Sequence, residues 1–173
     1  MSRQTRTKNH SRGRNGVGHV VIRKASKSDS SEIADLFVRL KRLNSEFDPL
    51  FGVVADAKEH AEEYVRSTVG ARQTLLLVAA GSERIIGALR AELRRRLFYA
   101  PGTEGYITEM YILPEYRRGE VGAELLSRAM AELKSMGAEI IVADFPSRNE
   151  IATQFYSKRG FRRLVESYVH VLQ

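Results

Sequence analysis

Apolar and polar positions change rhythm several times along the chain, and each rhythm predicts an element. Folded structure is expected to start at His19 or Val20, where VVIRKAS alternates with the period of two of a first strand. Ile33, Leu36, Phe37, Leu40 and Leu43 then recur at three- and four-residue spacing, the stripe of an amphipathic helix. Asp29-Ser-Ser-Glu32 before it has the spacing of a capping box. Phe47-Asp48-Pro49 ends it, because a residue before proline is pushed out of the α region. A second box, Asp56 to Glu59, opens a shorter helix that carries Ala61, Tyr64 and Val65 and stops at Gly70.

From Thr74 the pattern turns to strands: TLLLVAA, a turn at Gly81-Ser82-Glu83, then RIIGALRAELRRRLFYA. In the latter Leu89, Ala91, Leu93, Arg95 and Leu97 alternate with Arg90, Glu92, Arg94 and Arg96, which predicts one wet face with solvated arginines. Pro101 to Gly105 supplies a reversal, so a strand from Tyr106 to Leu113 should run antiparallel to its predecessor. Val121, Leu125, Leu126, Ala129, Met130 and Leu133 make the buried stripe of a helix over 120–136, ended by Gly137. EIIVADF is a short apolar strand bounded by Pro146, and strand, helix, strand in this order implies a right-handed crossover with the two strands parallel. Asn149 caps a last helix, IATQFYSKR, that Gly160 terminates, and FRRLVESYVHVLQ closes the chain as one or two strands.

The 173 residues, 43% of them hydrophobic, suffice for one domain with a substantial core. Cysteine is absent, which excludes disulfides, thiolate metal sites and cysteine nucleophiles, and the four histidines lack ligand-like spacing, so no metal is expected. With no apolar run of membrane-spanning length and no secretory leader, the expected location is cytoplasmic, without membrane partners. The net charge of +7 is uneven: residues 1–18 hold Arg3, Arg6, Lys8, Arg12 and Arg14 and no acid. That stretch reads as a disordered basic tail, either a solubilising arm or a grip on nucleic acid or an acidic partner.

The most informative stretch is YILPEYRRGEVGAELL, residues 111–126, where a strand runs straight into a helix N-terminus. The first amides of that helix have no intrahelical acceptor and its dipole favours negative charge. Arg117 and Arg118 add positive charge, while Gly119 and Gly122 let backbone approach a ligand closely. A diphosphate suits this hinge better than a single phosphate, and several nucleotide-like cofactors carry one. The spacing matches neither a P-loop nor a dinucleotide fingerprint.

Ile112-Leu-Pro114 followed by Arg117-Arg-Gly-Glu-Val-Gly122 resembles the acyl-coenzyme A signature of the GNAT superfamily of N-acetyltransferases. Downstream, Asn149, Ala152, Phe155, Tyr156, Gly160 and Phe161 are similar to that family's closing motif. The sequence departs from the pattern at Glu120, where the family carries glycine; a carboxylate there repels a diphosphate unless its side chain points to solvent. The resemblance implies an α/β (α+β) fold: a mixed, mostly antiparallel sheet of about six to seven strands flanked by about four helices, with a parallel pair joined by helix 120–136. The domain would span residues 19–173.

The resemblance also implies an acetyl-CoA-dependent transfer of acetyl to a primary amine by direct attack. Met110, Tyr111 and Ile112 would line the pantetheine arm, with Arg117, Arg118, Gly119, Glu120, Val121, Gly122 and Ala123 at the diphosphate. Asn149 would be a cofactor contact, an N-cap, or both. Tyr156 would touch the cofactor and protonate the departing thiolate. Glu109 is the candidate base, with Tyr106 and Thr108 as water holders; otherwise it is a carboxylate paired with an arginine of residues 85–99. The acceptor is expected over the first two helices, where Glu46, Asp48 and Asp56 could attract a cation and Phe47, Phe51 and Tyr64 could line a slot. It could be a small amine or polyamine, a protein lysine or an N-terminus. A catalytically weak CoA-binding regulatory domain and a nucleic-acid-associated protein are the alternatives, and homodimerisation is left open.

Overall fold

A computed structural model of the chain describes residues 20–172. The basic tail expected over residues 1–18, and any nucleic-acid role it has, lie outside the described residues. Strand β1 (Val21–Lys24), helices α1 (Ser30–Ser45) and α2 (Ala57–Thr68), strands β2 (Thr74–Ala80), β3 (Ile85–Arg95) and β4 (Thr103–Ile112), helix α3 (Val121–Ser135), strand β5 (Ile140–Ala143) and helix α4 (Glu150–Ser157) follow in order. The five strands form one sheet in sequence order, antiparallel except for the parallel pair β4 and β5. Helix α3 joins that pair, as the apolar rhythm predicts. Gly137 and Gly160, at φ 104° and 83°, end α3 and α4 in a conformation that a side chain would strain.

The sheet's two faces are covered by different helices. The missing Cβ of Gly105 on β4 faces Leu133 of α3, and Met110 on β4 meets Tyr156 of α4. On the opposite face Arg90 of β3 reaches Thr68 of α2. The core of Leu77, Val78, Leu89, Ile107, Leu125 and Leu133 lies between these layers, with Ile33, Phe37 and Val65 sealing the α1/α2 side.

Four expectations are corrected. FRRLVESYVHVLQ forms no strand: among the described residues no backbone hydrogen bond ties residues beyond Phe161 to the rest, so the sheet has five strands, not six or seven. A strand exists only through its partner, and β5 is short, pairing over four positions. The Asp29–Glu32 capping box does not form. Asp29 turns back to accept from Arg23 at 2.7 and 2.9 Å and from the Ser26 amide at 2.7 Å, while Glu32 accepts from the Ile85 amide at 2.8 Å. Asp56 likewise makes no side-chain cap to α2; His60 Nε2 lies 3.3 Å from it. Finally, Arg90 is buried rather than solvated, donating to Thr68, Thr108 and Glu92 and lying over the Tyr64 ring.

Candidate active site

The site begins with one extra residue in β4. Arg90 pairs with Glu109 and Ala91 with Ile107, so Thr108 is a bulge opposite no residue of β3. Strict alternation would put Glu109 on the same face as Ile107, against α3. The bulge reverses the phase, and Glu109 instead faces α1 and α2. Arg90 holds the bulge in place: its Nη1 donates to Thr108 Oγ1 at 2.9 Å, and that hydroxyl lies 3.3 Å from the Arg90 carbonyl.

Glu109 is buried, 7% exposed, yet both carboxylate oxygens are satisfied. Lys41 Nζ donates to Oε1 at 3.1 Å and the Tyr64 hydroxyl to Oε2 at 3.0 Å. Burial, and then the neighbouring carboxylate, push the Tyr64 phenol up to about 12, so it stays a donor. These groups lie at a cavity of about 580 Å³ whose wall is otherwise mainly apolar, including Phe37, Val38, Phe51, Val53 and Val54. Glu109 thus pairs with a lysine of α1, not with an arginine of β3. Thr108 is engaged by Arg90, and Tyr106 lies under Arg94, its ring centroid 3.4 Å from the guanidinium carbon, so neither expected water holder bonds Glu109.

On the other face of the same strand, β4 and β5 part. Their ladder ends at Ile107 and Ala143, which leaves residues 108–112 without a partner strand on the β5 side. Met110, the first side chain past Glu109, lies 3.7 Å through its Sδ from the Tyr156 hydroxyl. Phe145 stacks on the Tyr156 ring, and Phe155 and Phe161 meet it edge-on. Burial first, and then Asp144, push this phenol above its usual range, so it keeps its proton at ordinary pH.

At the hinge, Glu124 is the first residue to donate within α3, to Glu120, so the amides of Val121, Gly122 and Ala123 have no intrahelical acceptor. Arg117 folds back over the strand end: its Nε donates to the Ile112 carbonyl at 2.9 Å and its guanidinium covers the Tyr111 ring. Among the described residues no group takes its terminal nitrogens, and Arg118, Gly119 and Glu120 are exposed. Open space surrounds Gly119, where an added Cβ would meet only Tyr116 O at 3.7 Å. Gly122 differs: a Cβ there would lie 3.3 Å from Phe155 Cε2, so its bareness also serves the packing of α3 against α4. Free amides, free guanidinium nitrogens and the unpartnered edge of β4 are contiguous, a donor set that fits a diphosphate on an extended arm.

Asn149 is buried and accepts the Ala152 amide at 3.0 Å, so its side chain caps α4. Of the expected acceptor residues, Phe51 and Tyr64 line the cavity. Asp48 accepts the Leu50 amide at 2.9 Å, while Glu46, Phe47 and Asp56 lie outside the lining. No sequence motif marks Lys41; its signal is its place four residues after Phe37, at the rim of the apolar stripe.

A family model described as acetyltransferase (GNAT) family matches residues 37–161. N-alpha-acetyltransferase 30 of Schizosaccharomyces pombe is 30% identical over 95 residues, 55% of this chain and 62% of that protein. The chain therefore spans under two thirds of that relative's length. A mutant of the BH1408 protein from Bacillus halodurans superposes with a TM-score of 0.78 at 18% identity, covering 88% of this chain and 99% of that one. A "predicted acetyltransferase" of Clostridium acetobutylicum, crystallised with acetyl-CoA, gives 0.71 at 20% identity, over 89% of this chain and 96% of that one. At such identities these structures establish the fold.

Proposed function

The chain belongs to the acetyltransferase (GNAT) family, and from that premise we propose that it transfers acetyl from acetyl-CoA to a primary amine borne by an apolar group, such as a peptide N-terminus. One observation carries the reading. Consecutive residues of β4 serve opposite sides of the strand, Glu109 turned into the α1/α2 cavity and Met110 toward Tyr156, so acceptor and donor would meet across a single peptide unit.

Acetyl-CoA supplies an activated acyl thioester. The α3 amides of Val121, Gly122 and Ala123, with Arg117 and Arg118, hold its diphosphate; Gly119 gives clearance and Glu120, exposed, turns its charge to solvent. Main-chain groups of Met110, Tyr111 and Ile112 orient the pantetheine arm and direct N–H donors at the carbonyl oxygen. Glu109 takes the proton of the acceptor ammonium, and Tyr156 holds the proton that the thiolate needs to leave. The amine acts directly, without a covalent enzyme intermediate.

The acceptor class is read from the cavity: one buried carboxylate ringed by Phe37, Val38, Phe51, Val53 and Val54 suits a single ammonium on an apolar stem better than a polycation. The name of the yeast relative points the same way. A second reading, a CoA-binding domain of weak turnover, is favoured by Lys41, which already engages Glu109. Calorimetric titration with acetyl-CoA, followed by thiol release over a panel of apolar N-terminal peptides, their blocked forms and spermidine, tests both. Binding with turnover of the free peptides alone is expected. No binding overturns the reading, and binding without turnover selects the second.

A further inference from the structure

Lys41 is itself a primary amine placed where an acceptor belongs. It projects from α1 into the cavity, its Nζ 3.1 Å from the carboxylate that would deprotonate an acceptor, with its side chain 49% exposed and therefore free to move. Among the described residues no other lysine lines this cavity. Lys24, Lys27, Lys134 and Lys158 are exposed, and Lys58 pairs with Asp35 and Glu62. The Glu109–Lys41 pair therefore has the arrangement of a base and its substrate.

We propose that Lys41 is an internal acceptor: the chain acetylates its own Lys41 in cis, an inference that rests on the acetyltransferase reading above. Glu109 Oε1 takes a proton from the Lys41 ammonium, and the freed Nζ attacks the thioester carbonyl of acetyl-CoA. The N–C bond forms as the C–S bond breaks, and the coenzyme leaves as thiol with the proton held by Tyr156. The nitrogen loses its second proton to solvent as the neutral amide forms, Tyr156 takes one proton back and Glu109 gives up its own, so one proton is released in net. The product amide carries no charge, which ends the ion pair with Glu109 and leaves that carboxylate open to an external ammonium. Self-acetylation is thus a priming step that removes the group blocking the base.

The test incubates the full chain with acetyl-CoA and follows intact mass and peptide mapping over time, at several protein concentrations. A single acetyl group on Lys41 is expected, with a first-order rate that dilution does not change, at least about tenfold faster than at exposed Lys134, because the amine is already held beside its base. Lys41→Arg should abolish the modification, Glu109→Gln should slow it, and Lys134→Arg should leave it unaltered, with circular dichroism confirming that each variant is folded. Acetyl groups spread over lysines by exposure, or a rate that grows with protein concentration, would overturn the proposal. Turnover of an external amine with Lys41 unmodified would sink self-acetylation alone, whereas failure to bind acetyl-CoA would remove the parent reading with it.

Discussion

Replacing Glu109 by glutamine keeps the shape of the side chain and removes its charge, so it isolates the role of the carboxylate. The amide oxygen can still accept from the Tyr64 hydroxyl, now 3.0 Å from Oε2, but the partner of Lys41 is lost. Lys41 is about half exposed and can return to water, so the cost to folding is about 1–2 kcal/mol, small beside the roughly 5–15 kcal/mol of a typical domain. The loss of a general base costs far more, about 10²–10⁴-fold in rate, or roughly 3–5 kcal/mol of barrier. The two effects are therefore separable. Thiol release from acetyl-CoA with an apolar peptide should fall by that factor near pH 7, while acetyl-CoA affinity stays within about twofold of wild type. Raising the pH past the acceptor's own pKa, about 8 for an α-amine, supplies the free amine from solution and should narrow the deficit. A Glu109→Gln chain that is folded and retains activity within about threefold of wild type near neutral pH, or whose deficit ignores pH, would refute the reasoning.

Tyr156→Phe should lower turnover about 10–100-fold with little change in acetyl-CoA affinity or melting temperature, since the hydroxyl makes only a weak contact to Met110 Sδ; stopped-flow and thermal scans separate the two. Glu120→Gln should tighten acetyl-CoA about two- to fivefold at low salt, with the gain fading at high salt, as titration calorimetry can show, because an exposed charge at a helix N-terminus is worth about 0.3–1 kcal/mol. Asp29→Asn should cost about 2 kcal/mol at neutral pH by urea unfolding. The Arg23 guanidinium holds the Asp29 carboxyl below its usual range, so its stabilisation is complete above the unfolded value of about 4 and disappears as pH falls toward the folded one; wild type and variant should converge in acid. Gly105→Ala would put a methyl 3.0 Å from both Ile141 Cδ1 and Leu133 Cδ1, and chemical denaturation should register a loss of about 1–3 kcal/mol; an unchanged midpoint would mean that α3 can shift aside.

The sequence by itself determined what depends on near neighbours. Helix stripes, the strand-to-helix hinge after Pro114, the Asn149 cap and the glycine stops after α3 and α4 are all set by residues a few positions apart, and they lie where the pattern places them, except that Met130 of the α3 stripe is exposed. The parallel pair and its crossover also follow, because element order and chirality leave little choice. Tertiary structure decided what depends on long-range contact or on phase. Period-two reading assumes that a strand never slips, so it could not see Thr108 turn Glu109 to the opposite face, nor that Arg90 is buried to lock the bulge. The partners of Glu109 come from 68 and 45 residues away, separations at which local spacing carries no information. Polar side chains with several acceptors in reach are similarly undecidable from spacing alone: Asp29 went to Arg23 and Glu32 to Ile85. For the closing segment, high strand propensity did not suffice, because a strand exists only through a hydrogen-bonded partner and this segment has none among the described residues.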